Sequence, residues 1–273
     1  MEPLSAFVTT YNNGLTLNAC LASVAWADEI VVLDSGSQDD TLAIAQRYGA
    51  KIFHHPFMGY GPQKQLALEK TTCSWVLLLD ADEALTPLLQ QEIKTLLANN
   101  PKADGYEIPR LEQLFWRMSS PNVRMNHFLR LFRRERGRLG DMPIHAAPQV
   151  IGVIARLHYP FWHFGEISIH AKVDRINAYS TGLVADKVTK RVAPNPWSMV
   201  FYPPFVFVRS YLFKRNFLNG WAGFIGSVSM AYYAFLKYAK LYEYNRWRLH
   251  GRNLLPPEAP PGAMPPPPPG TPH

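Results

Sequence analysis

Short apolar runs alternate with amphipathic runs over the first hundred residues of the chain. The apolar runs predict strands at Leu4–Thr10, Glu29–Asp34, Lys51–His54 and Trp75–Asp80. The amphipathic runs predict helices over 15–25, 40–48, 63–70 and 86–98, the last capped by Thr86 before Pro87. Nearly continuous apolar strands that alternate with helices are typical of a parallel sheet covered on both faces. We therefore predict an α/β domain.

The pattern changes after residue 99. Shorter strands are predicted over 105–110, 129–133 and 150–158, and from His170 onward the pattern is helical and then strongly aromatic. The last residues are mostly Pro and Gly without apolar periodicity, which is typical of a segment without a packed core. The sequence predicts an α/β domain over 1–165, a helical, aromatic and basic region over 166–250, and a Pro-rich tail over 251–273.

Composition narrows the choice of partners and compartment. The chain has 28 Lys and Arg against 21 Asp and Glu, a net charge of +7 that favours phosphates, nucleic acid or acidic lipid as partners. Its two cysteines, Cys20 and Cys73, lie in apolar runs and are expected to be buried free thiols. The first residues lack the pattern of a secretory signal, so we expect a cytoplasmic protein.

Polar clusters directly follow three of the predicted strands. They are Thr9-Thr10-Tyr11-Asn12, Asp34-Ser35-Gly36-Ser37 and Asp80-Ala81-Asp82-Glu83. Ligands of open parallel sheets collect at this edge. Alternation along an extended chain places Asp80 and Asp82 on one side, where carboxylate oxygens suit Mg²⁺ or Mn²⁺ together with a diphosphate. The alternative is that Asp82 or Glu83 only caps the following helix.

The second cluster also allows two interpretations. Asp34 is the carboxylate that ends its strand, so it could accept hydrogen bonds from a base or a ribose. The alternative is an ordinary Asx- or Ser-turn in which Gly36 supplies a positive φ angle.

Four segments together resemble glycosyltransferase family 2, in the correct order along the chain. They are residues 8–12, 27–41, 54–64 and 75–83. The set is similar to bacterial β-1,4-glucosyltransferases that extend the lipopolysaccharide inner core, and residues 220–224 and 235–243 match that subgroup too. The resemblance implies a GT-A fold with a Rossmann-like sheet. It also implies inverting, metal-dependent transfer of a hexose, glucose as first expectation, from a UDP-sugar to a core heptose.

The resemblance also implies roles for individual residues. Thr9, Tyr11 and Asp34 would line the uridine pocket. Asp80 would contact the ribose or the metal, Asp82 would be the principal ligand of Mg²⁺ or Mn²⁺, and Lys64 would approach the diphosphate or the base. His163 would be a further metal or diphosphate contact. The alternatives are a solvated Lys64 at a helix end and a packed aromatic role for His163.

The catalytic base is where the sequence departs from the family pattern. Inverting transfer needs a group that deprotonates the acceptor hydroxyl. Relatives usually carry Val-His-Glu after the Arg-rich segment, whereas this chain has Ile144-His145-Ala146-Ala147. Our hypothesis is that Asp141 is the base, with His145 as the other candidate. A base from elsewhere and an impaired enzyme remain as alternatives.

Eight arginines lie between Arg110 and Arg138. Guanidinium forks suit phosphates and carboxylates, so an acceptor with phosphorylated or acidic sugars would fit. Arg130 and Arg133 lie in an apolar run and are the candidates for ligand contact. A solvated basic face is the alternative.

Residues 217–236 contain no charged side chain. The length of this uncharged segment is near that needed to cross a bilayer. Asn219 and several glycines lower the hydrophobicity of this segment. We therefore predict an interfacial helical hairpin that lies peripherally on the inner face of the cytoplasmic membrane and is attracted to anionic lipid. A core helix or an oligomer interface is the alternative.

The sequence suggests three rival functions. A nucleic-acid-binding module is disfavoured because no recognised motif is present and the acidic cluster would repel phosphate. The others are a catalytically impaired sugar-nucleotide-binding relative and a transferase for another lipid-linked or protein acceptor.

Overall fold

The computed structural model describes residues 1–140, 147–190, 192–193 and 195–250, with side chains described as far as residue 246. The chain divides into two compact units. The first comprises Met1–Gln113 and Met125–Gly165, and the second comprises Leu114–Arg124 and Glu166–His273. The predicted Pro-rich tail over 251–273 lies outside the described residues.

The strands are, in chain order, β1 Leu4–Thr10, β2 Glu29–Asp34, β3 Lys51–His54, β4 Trp75–Asp80, β5 Glu83–Leu85, β6 Gly105–Leu114, β7 Arg117–Met118, β8 Asn126–Arg133, β9 Gly137–Leu139, β10 Pro148–Val150, β11 Ile154–Arg156 and β12 Phe161–His163. The helices are α1 Leu17–Ser23, α2 Thr41–Arg47, α3 Tyr60–Glu69, α4 Pro87–Ala98, α5 Ile169–Thr189, α6 Pro196–Val208 and α7 Gly220–His250.

The sheet of the first unit has the strand order β3-β2-β1-β4-β8-β6-β12-β5. Its first four strands are parallel. β8 is antiparallel to both of its neighbours, β4 and β6, and β12 returns to the direction of β6. β8 therefore lies beside the strand that ends in Asp80, although it comes about fifty residues later in the chain.

Both faces of this sheet are buried. Leu4, Ala6 and Val8 of β1 belong to one apolar cluster, which also contains the buried apolar residues of α1, α2 and α4. Phe7 of the same strand belongs to a second cluster, which contains Ala67 and Leu68 of α3. Successive side chains of a strand point to opposite faces, so this division places helices on both sides of the sheet. The predicted α/β class is confirmed.

The predicted boundaries agree best for the first hundred residues. All four predicted strands begin and end at the predicted residues, and the Thr86 hydroxyl accepts a hydrogen bond from the Leu89 N–H at the start of α4. The helix predicted from residue 63 begins earlier, at Tyr60, directly after Gly59 with its φ of 104°. The single strand predicted over 150–158 is wrong. It is two short strands, β10 and β11, separated at Gly152, whose φ is 131°.

The cysteines are free thiols, as predicted. Cys20 is buried in the core, whereas Cys73 is only partly buried.

The second unit is helical. Phe207 of α6 contacts Phe224 of α7, and Tyr202 contacts Tyr238 further along both helices, so α6 and α7 run antiparallel. A π-helical turn at Arg209–Phe213 and a 3-10 turn at Asn216–Asn219 connect them. The helical hairpin predicted within residues 217–236 is wrong, because residues 220–236 belong to the single helix α7 and the hairpin is formed by α6 and α7 instead. Among the described residues, no helix combines the length and the apolar character that crossing a bilayer requires.

Glu29 connects the amino-terminal ends of three strands in the first unit. Its carboxylate accepts hydrogen bonds from the Ser5 hydroxyl, from Lys51 Nζ at 2.7 Å and from the Thr72 N–H at 2.7 Å. Burial acts to raise the pKa of this carboxyl, but the hydrogen bonds from Lys51, Ser5 and Thr72 outweigh it and hold the pKa below its ordinary value. The folded state therefore favours ionised Glu29.

We predict that Glu29→Gln lowers the free energy of unfolding by about 1–3 kcal/mol at pH 7. A lowered folded-state pKa stabilises the fold above the unfolded pKa, and that contribution is lost as the pH falls through the folded value. The difference between the two proteins should therefore shrink in acid. Urea unfolding at pH 7 and below pH 4 measures it. Exposed Glu69→Gln is the control, and an equal loss in both variants would contradict the prediction.

Candidate functional site

Two loops at the carboxyl edge of the parallel strands are bonded to each other. The Asn12 N–H donates to the Ser37 hydroxyl at 2.8 Å, and the Gln38 N–H donates to Asn12 Oδ1 at 2.8 Å. Asn12 has a φ of 52°, a left-handed conformation that asparagine tolerates. The loop leaves Tyr11 largely exposed, at 59% of its surface. An aromatic ring is thus presented at this edge by a braced loop.

Asp34 organises the second of these loops. Its carboxylate accepts hydrogen bonds from the Gly36 N–H at 2.9 Å, from the Ser37 N–H and hydroxyl, and contacts His54 Nδ1 at 3.3 Å. Burial acts to raise the pKa of Asp34, but the bonds from Ser37 and Gly36 outweigh it and lower the pKa. The Asx-turn interpretation is confirmed, with Gly36 at a φ of 101°. The contact between Asp34 and a nucleotide stays a prediction.

Asp80 lies at the end of β4 between two cations. One of its oxygens contacts Lys64 Nζ, and the other lies 3.0 Å from Arg130 Nη2. Burial acts to raise the pKa of Asp80, but the charges of Arg130 and Lys64 outweigh it and hold the pKa well below its ordinary range. Asp80 is therefore an ionised carboxylate with both oxygens already paired.

Glu83 is the most deeply buried acid of this cluster. It accepts a hydrogen bond from Arg130 Nη2 at 2.6 Å and another from the Asp80 N–H at 3.0 Å. Burial raises the pKa of Glu83 to about 7, against the opposing charge of Arg130. The alternative that Glu83 caps the following helix is wrong, because α4 begins after Thr86, which provides the cap.

His163 lies between two further carboxylates. Its Nδ1 is 2.6 Å from Glu112 Oε2, and its Nε2 is 3.4 Å from Asp82 Oδ2. Burial acts to lower the pKa of His163, but hydrogen bonds with Asp82 and Glu112 outweigh it and raise the pKa to about 10. Arg110 Nε donates to Glu112 at 2.7 Å and orients that carboxylate in turn.

Strand pairing and one glycine place His163. The residue lies opposite Glu83 in the β12–β5 register and opposite Glu112 in the β12–β6 register. A Cβ atom on Gly165 would come within 2.4 Å of His163 Cε1, so only glycine permits the present ring position. The ring is thus fixed by backbone as well as by side chains.

The amino-acid sequence matches a protein family and several known proteins. The family model described as "Glycosyl transferase family 2" matches residues 5–153. The lipopolysaccharide core biosynthesis glycosyltransferase LpsC of Rhizobium meliloti (strain 1021) is 33% identical over 249 residues, which cover 88% of this chain and 92% of LpsC. This chain belongs to glycosyl transferase family 2.

A second curated relative is consistent with that assignment. A glycosyltransferase of Rickettsia felis is 30% identical over 89% of this chain and 90% of its own length. Among solved structures, residues 1–349 of TarS from S. aureus are a more distant likeness, with 15% identity, a TM-score of 0.43, and coverage of 90% of this chain and 92% of that one. The fold of the chain itself confirms the predicted GT-A class, because a mostly parallel sheet with helices on both faces is followed by carboxyl-terminal helices.

The transferase brings most of the predicted site residues to one edge. Thr9 lies opposite Asp80 in the β1–β4 register, and Thr10 lies opposite Asp34 in the β1–β2 register. Lys64, Asp82, Arg130 and His163 join them through the contacts above. Lys64 is buried and paired, so the solvated-lysine alternative is wrong. Asp141 and His145 lie outside the described residues.

Arg133 is not brought to this cluster. It lies opposite Trp75 at the start of β4, whereas Asp80 ends that strand. Its guanidinium carbon is 4.8 Å from the centre of the Trp75 ring, and its Nη2 donates to the Pro101 carbonyl at 3.3 Å. These contacts assign Arg133 to packing at the opposite end of the sheet.

Sequence analysis missed three site residues of the transferase, namely Glu83, Arg110 and Glu112. The sequence pattern places Glu83 in the acidic cluster, with a helix cap as the alternative, and counts Arg110 among eight arginines, but it predicts no role for Glu112. The available signal was the spacing of Arg110 and Glu112, which places two complementary charges on one face of a strand. Neither the pairing of β6 with β12 nor that of β5 with β12 is visible in the local pattern.

Among the described parts of the transferase, no group of three or more His, Cys, Asp or Glu side chains is arranged to hold a metal ion. Within the same described residues, Asp82 and His163 are an acid and an imidazole in direct contact. Mg²⁺-type ions often take one or two protein carboxylates and complete their shell with phosphate oxygens and water. Two ligands are therefore sufficient only when a diphosphate is bound.

We predict that Arg130→Met lowers the free energy of unfolding by about 3–5 kcal/mol, because Asp80 and Glu83 lose their shared cation in a buried setting. Urea unfolding at pH 7 measures the loss. Arg133→Met, the same substitution on the same strand, is the matched control and should cost about 1 kcal/mol or less. Adding Glu83→Gln to Arg130→Met should recover part of the loss. Equal effects of the two single variants would contradict the prediction.

Proposed function

We propose that the protein is an inverting, metal-dependent glycosyltransferase that moves a hexose from a UDP-sugar to the heptose of a lipopolysaccharide core. Glucose is the first candidate for the hexose. The observation that carries the proposal is the Asp82–His163 pair beside the Lys64–Asp80–Arg130 network, at the edge of the sheet where ligands collect. The named function of LpsC, lipopolysaccharide core biosynthesis, supports the acceptor class.

A divalent cation fits the Asp82–His163 pair. Asp82 Oδ2 and His163 Nε2 lie 3.4 Å apart and would hold Mg²⁺ or Mn²⁺ together with diphosphate oxygens once the Nε2 proton is released. Glu112 contacts His163 Nδ1, so the other ring nitrogen, Nε2, faces Asp82. Histidines that bind metals are commonly held by a carboxylate in this way. Asp80 is less suited to the ligand role proposed for it, because Lys64 and Arg130 occupy its oxygens. Bound Mg²⁺ or Mn²⁺ would neutralise charge that develops on the leaving diphosphate.

The remaining site residues bind and orient the donor in this proposal. Tyr11 from the braced loop and Thr9 from the end of β1 contact the uracil and ribose, and Asp34 holds the neighbouring loop in place or contacts the base. Lys64 places a positive charge beside the diphosphate, while its contact with Asp80 fixes the ammonium group. Arg130 forms ion pairs with Asp80 and Glu83. Its positive charge also contributes to the electrostatic field that attracts an anionic donor.

The acceptor needs a base and a location. We keep Asp141 as the base that removes the hydroxyl proton, with His145 as the second candidate. The helical region over 166–250 is assigned to the acceptor and to the inner face of the cytoplasmic membrane, where glycolipid acceptors reside. The competing function is that of an impaired sugar-nucleotide-binding relative, which the alanines after His145 favour.

The test is turnover of a UDP-sugar panel by purified protein, with Mg²⁺, with Mn²⁺ or with EDTA, and with core oligosaccharide as acceptor. We expect one donor to be turned over only with metal, and Asp82→Ala to lose at least about a hundredfold in kcat, since the leaving diphosphate loses its metal. Asp104→Ala, an acid outside the cluster, is the control. Full turnover by Asp141→Asn would refute that base. Tight donor binding without turnover of any donor would favour the impaired relative.

We predict that Glu112→Gln weakens Mn²⁺ binding in the presence of UDP by about tenfold to a hundredfold, because His163 loses the partner that fixes its orientation. The free Mn²⁺ signal in electron paramagnetic resonance measures this without turnover. Glu107→Gln is the matched control, since Glu107 lies on the same strand but pairs with Arg156. Equal Mn²⁺ affinity in the two variants would mean that Glu112 does not support the metal ligand.

A further inference from the structure

Two lysines of the helical unit share one aromatic ring. Lys187 Nζ of α5 is 4.8 Å from the centre of the Tyr238 ring, and Lys237 Nζ of α7 is 4.9 Å from it. Lys237 Nζ is also 4.8 Å from the centre of the Tyr202 ring of α6. The two tyrosine rings are in edge contact, with centroids 5.5 Å apart. Three helices thus contribute to one basic, aromatic-walled surface, which we call the lysine–tyrosine pair site (Lys187, Lys237, Tyr202 and Tyr238).

The charges of this site are not neutralised within the part of the chain that the structure describes. No carboxylate there lies within 4.0 Å of Lys187 or Lys237. The acid next to Lys187 in sequence, Asp186, is paired with Lys190 at 2.8 Å. Burial and the charge of Lys187 lower the pKa of Lys237. Two ammonium groups that face one ring repel each other, and an anion between or beside them would relieve that repulsion.

An exposed aromatic stripe adjoins the site on α6. Trp197, Phe201 and Phe205 recur at every fourth position and therefore lie on one face of the helix, with 65%, 65% and 57% of their surfaces exposed. The Trp197 and Phe201 rings stack, and the Phe205 ring stacks on Tyr202 of the pair site. Large contiguous apolar surfaces of this kind mark protein or membrane contacts.

We propose that the lysine–tyrosine pair site binds the phosphate of an anionic phospholipid headgroup, while the aromatic stripe enters the interfacial layer of the membrane. Aromatic side chains beside basic residues are the composition of helices that lie in this layer. A second copy of the chain is a poorer occupant, because it carries the same net charge of +7 and would bring a second unneutralised lysine pair. The assignment rests on the membrane location proposed above and names the surface responsible for it.

The experiment is co-sedimentation of the full chain with vesicles, without donor or metal. Neutral phosphatidylcholine vesicles are compared with vesicles that also contain phosphatidylglycerol, for the wild-type protein and Lys187→Ala/Lys237→Ala. The matched control is Lys70→Ala/Lys94→Ala, which removes two lysines that also lie over aromatic rings but singly, over Phe53 and Trp26. Thermal unfolding confirms that each variant is folded, and UDP binding with Mn²⁺ is measured separately to report on the proposed donor site.

We expect the Lys187→Ala/Lys237→Ala variant to lose about tenfold to thirtyfold in partitioning to anionic vesicles, and Lys187→Arg/Lys237→Arg to retain it. The Lys70→Ala/Lys94→Ala control should lose far less. Trp197→Ser/Phe201→Ser should reduce binding to both vesicle types, because the stripe contributes apolar contact. Loss of vesicle binding with intact UDP binding would leave the proposed enzyme in place and support the lipid site.

Two outcomes would overturn the proposal. The first is equal vesicle binding by the Lys187→Ala/Lys237→Ala variant and its control. The second is release of the wild-type protein from vesicles by millimolar inorganic phosphate at constant ionic strength, which would assign the site to a soluble anion instead. Absence of UDP binding together with intact vesicle binding would instead refute the proposed function and leave the lipid site standing.

Discussion

The site depends on one side chain from a late strand, Arg130. Its guanidinium lies within hydrogen-bonding distance of Asp80 at the end of β4 and of Glu83 at the start of β5. These carboxylates stand three residues apart and would repel each other if no cation lay between them. Lys64 takes the other oxygen of Asp80. The arginine thereby permits a dense group of acids at the sheet edge, where the neighbouring Asp82 faces His163.

The position of that arginine follows from the order of the sheet. β8 inserts between β4 and β6 and runs against both, which brings residues of a late segment beside the end of an early strand. On the side of β8 away from β4, β6 supplies Arg110 and Glu112, and the next strand, β12, supplies His163. The parallel half of the sheet thus offers the edge and the loops, whereas the mixed half supplies the cations and the histidine that surround the acids.

The sequence predicted the parallel half of the sheet well and the mixed half poorly. Three of the four early strands are apolar runs that end in polar clusters, so the local pattern determined both their boundaries and the edge where Asp34 and Asp80 lie. Glu83 and Glu112 acquired their roles only through pairing with a strand far along the chain, which no local pattern encodes. Arg130 and Arg133 were both predicted to contact a ligand because they lie in the same apolar run. Position along the strand separates them, because Arg133 lies opposite the start of β4, whereas Arg130 lies at an irregularity in the β6–β8 pairing and reaches the end of β4.

The long separation between Arg130 and its partners has a consequence for synthesis on the ribosome. Arg130 follows Asp80 by 50 residues and Glu83 by 47. At roughly 5–20 residues per second, the two acids leave the ribosome several seconds before their counter-ion exists. Lys64 is already present in that interval, but it neutralises only one charge. The end of β4 must therefore stay hydrated while the first strands associate, and the parallel half of the sheet reaches its final burial only after β8 has been translated.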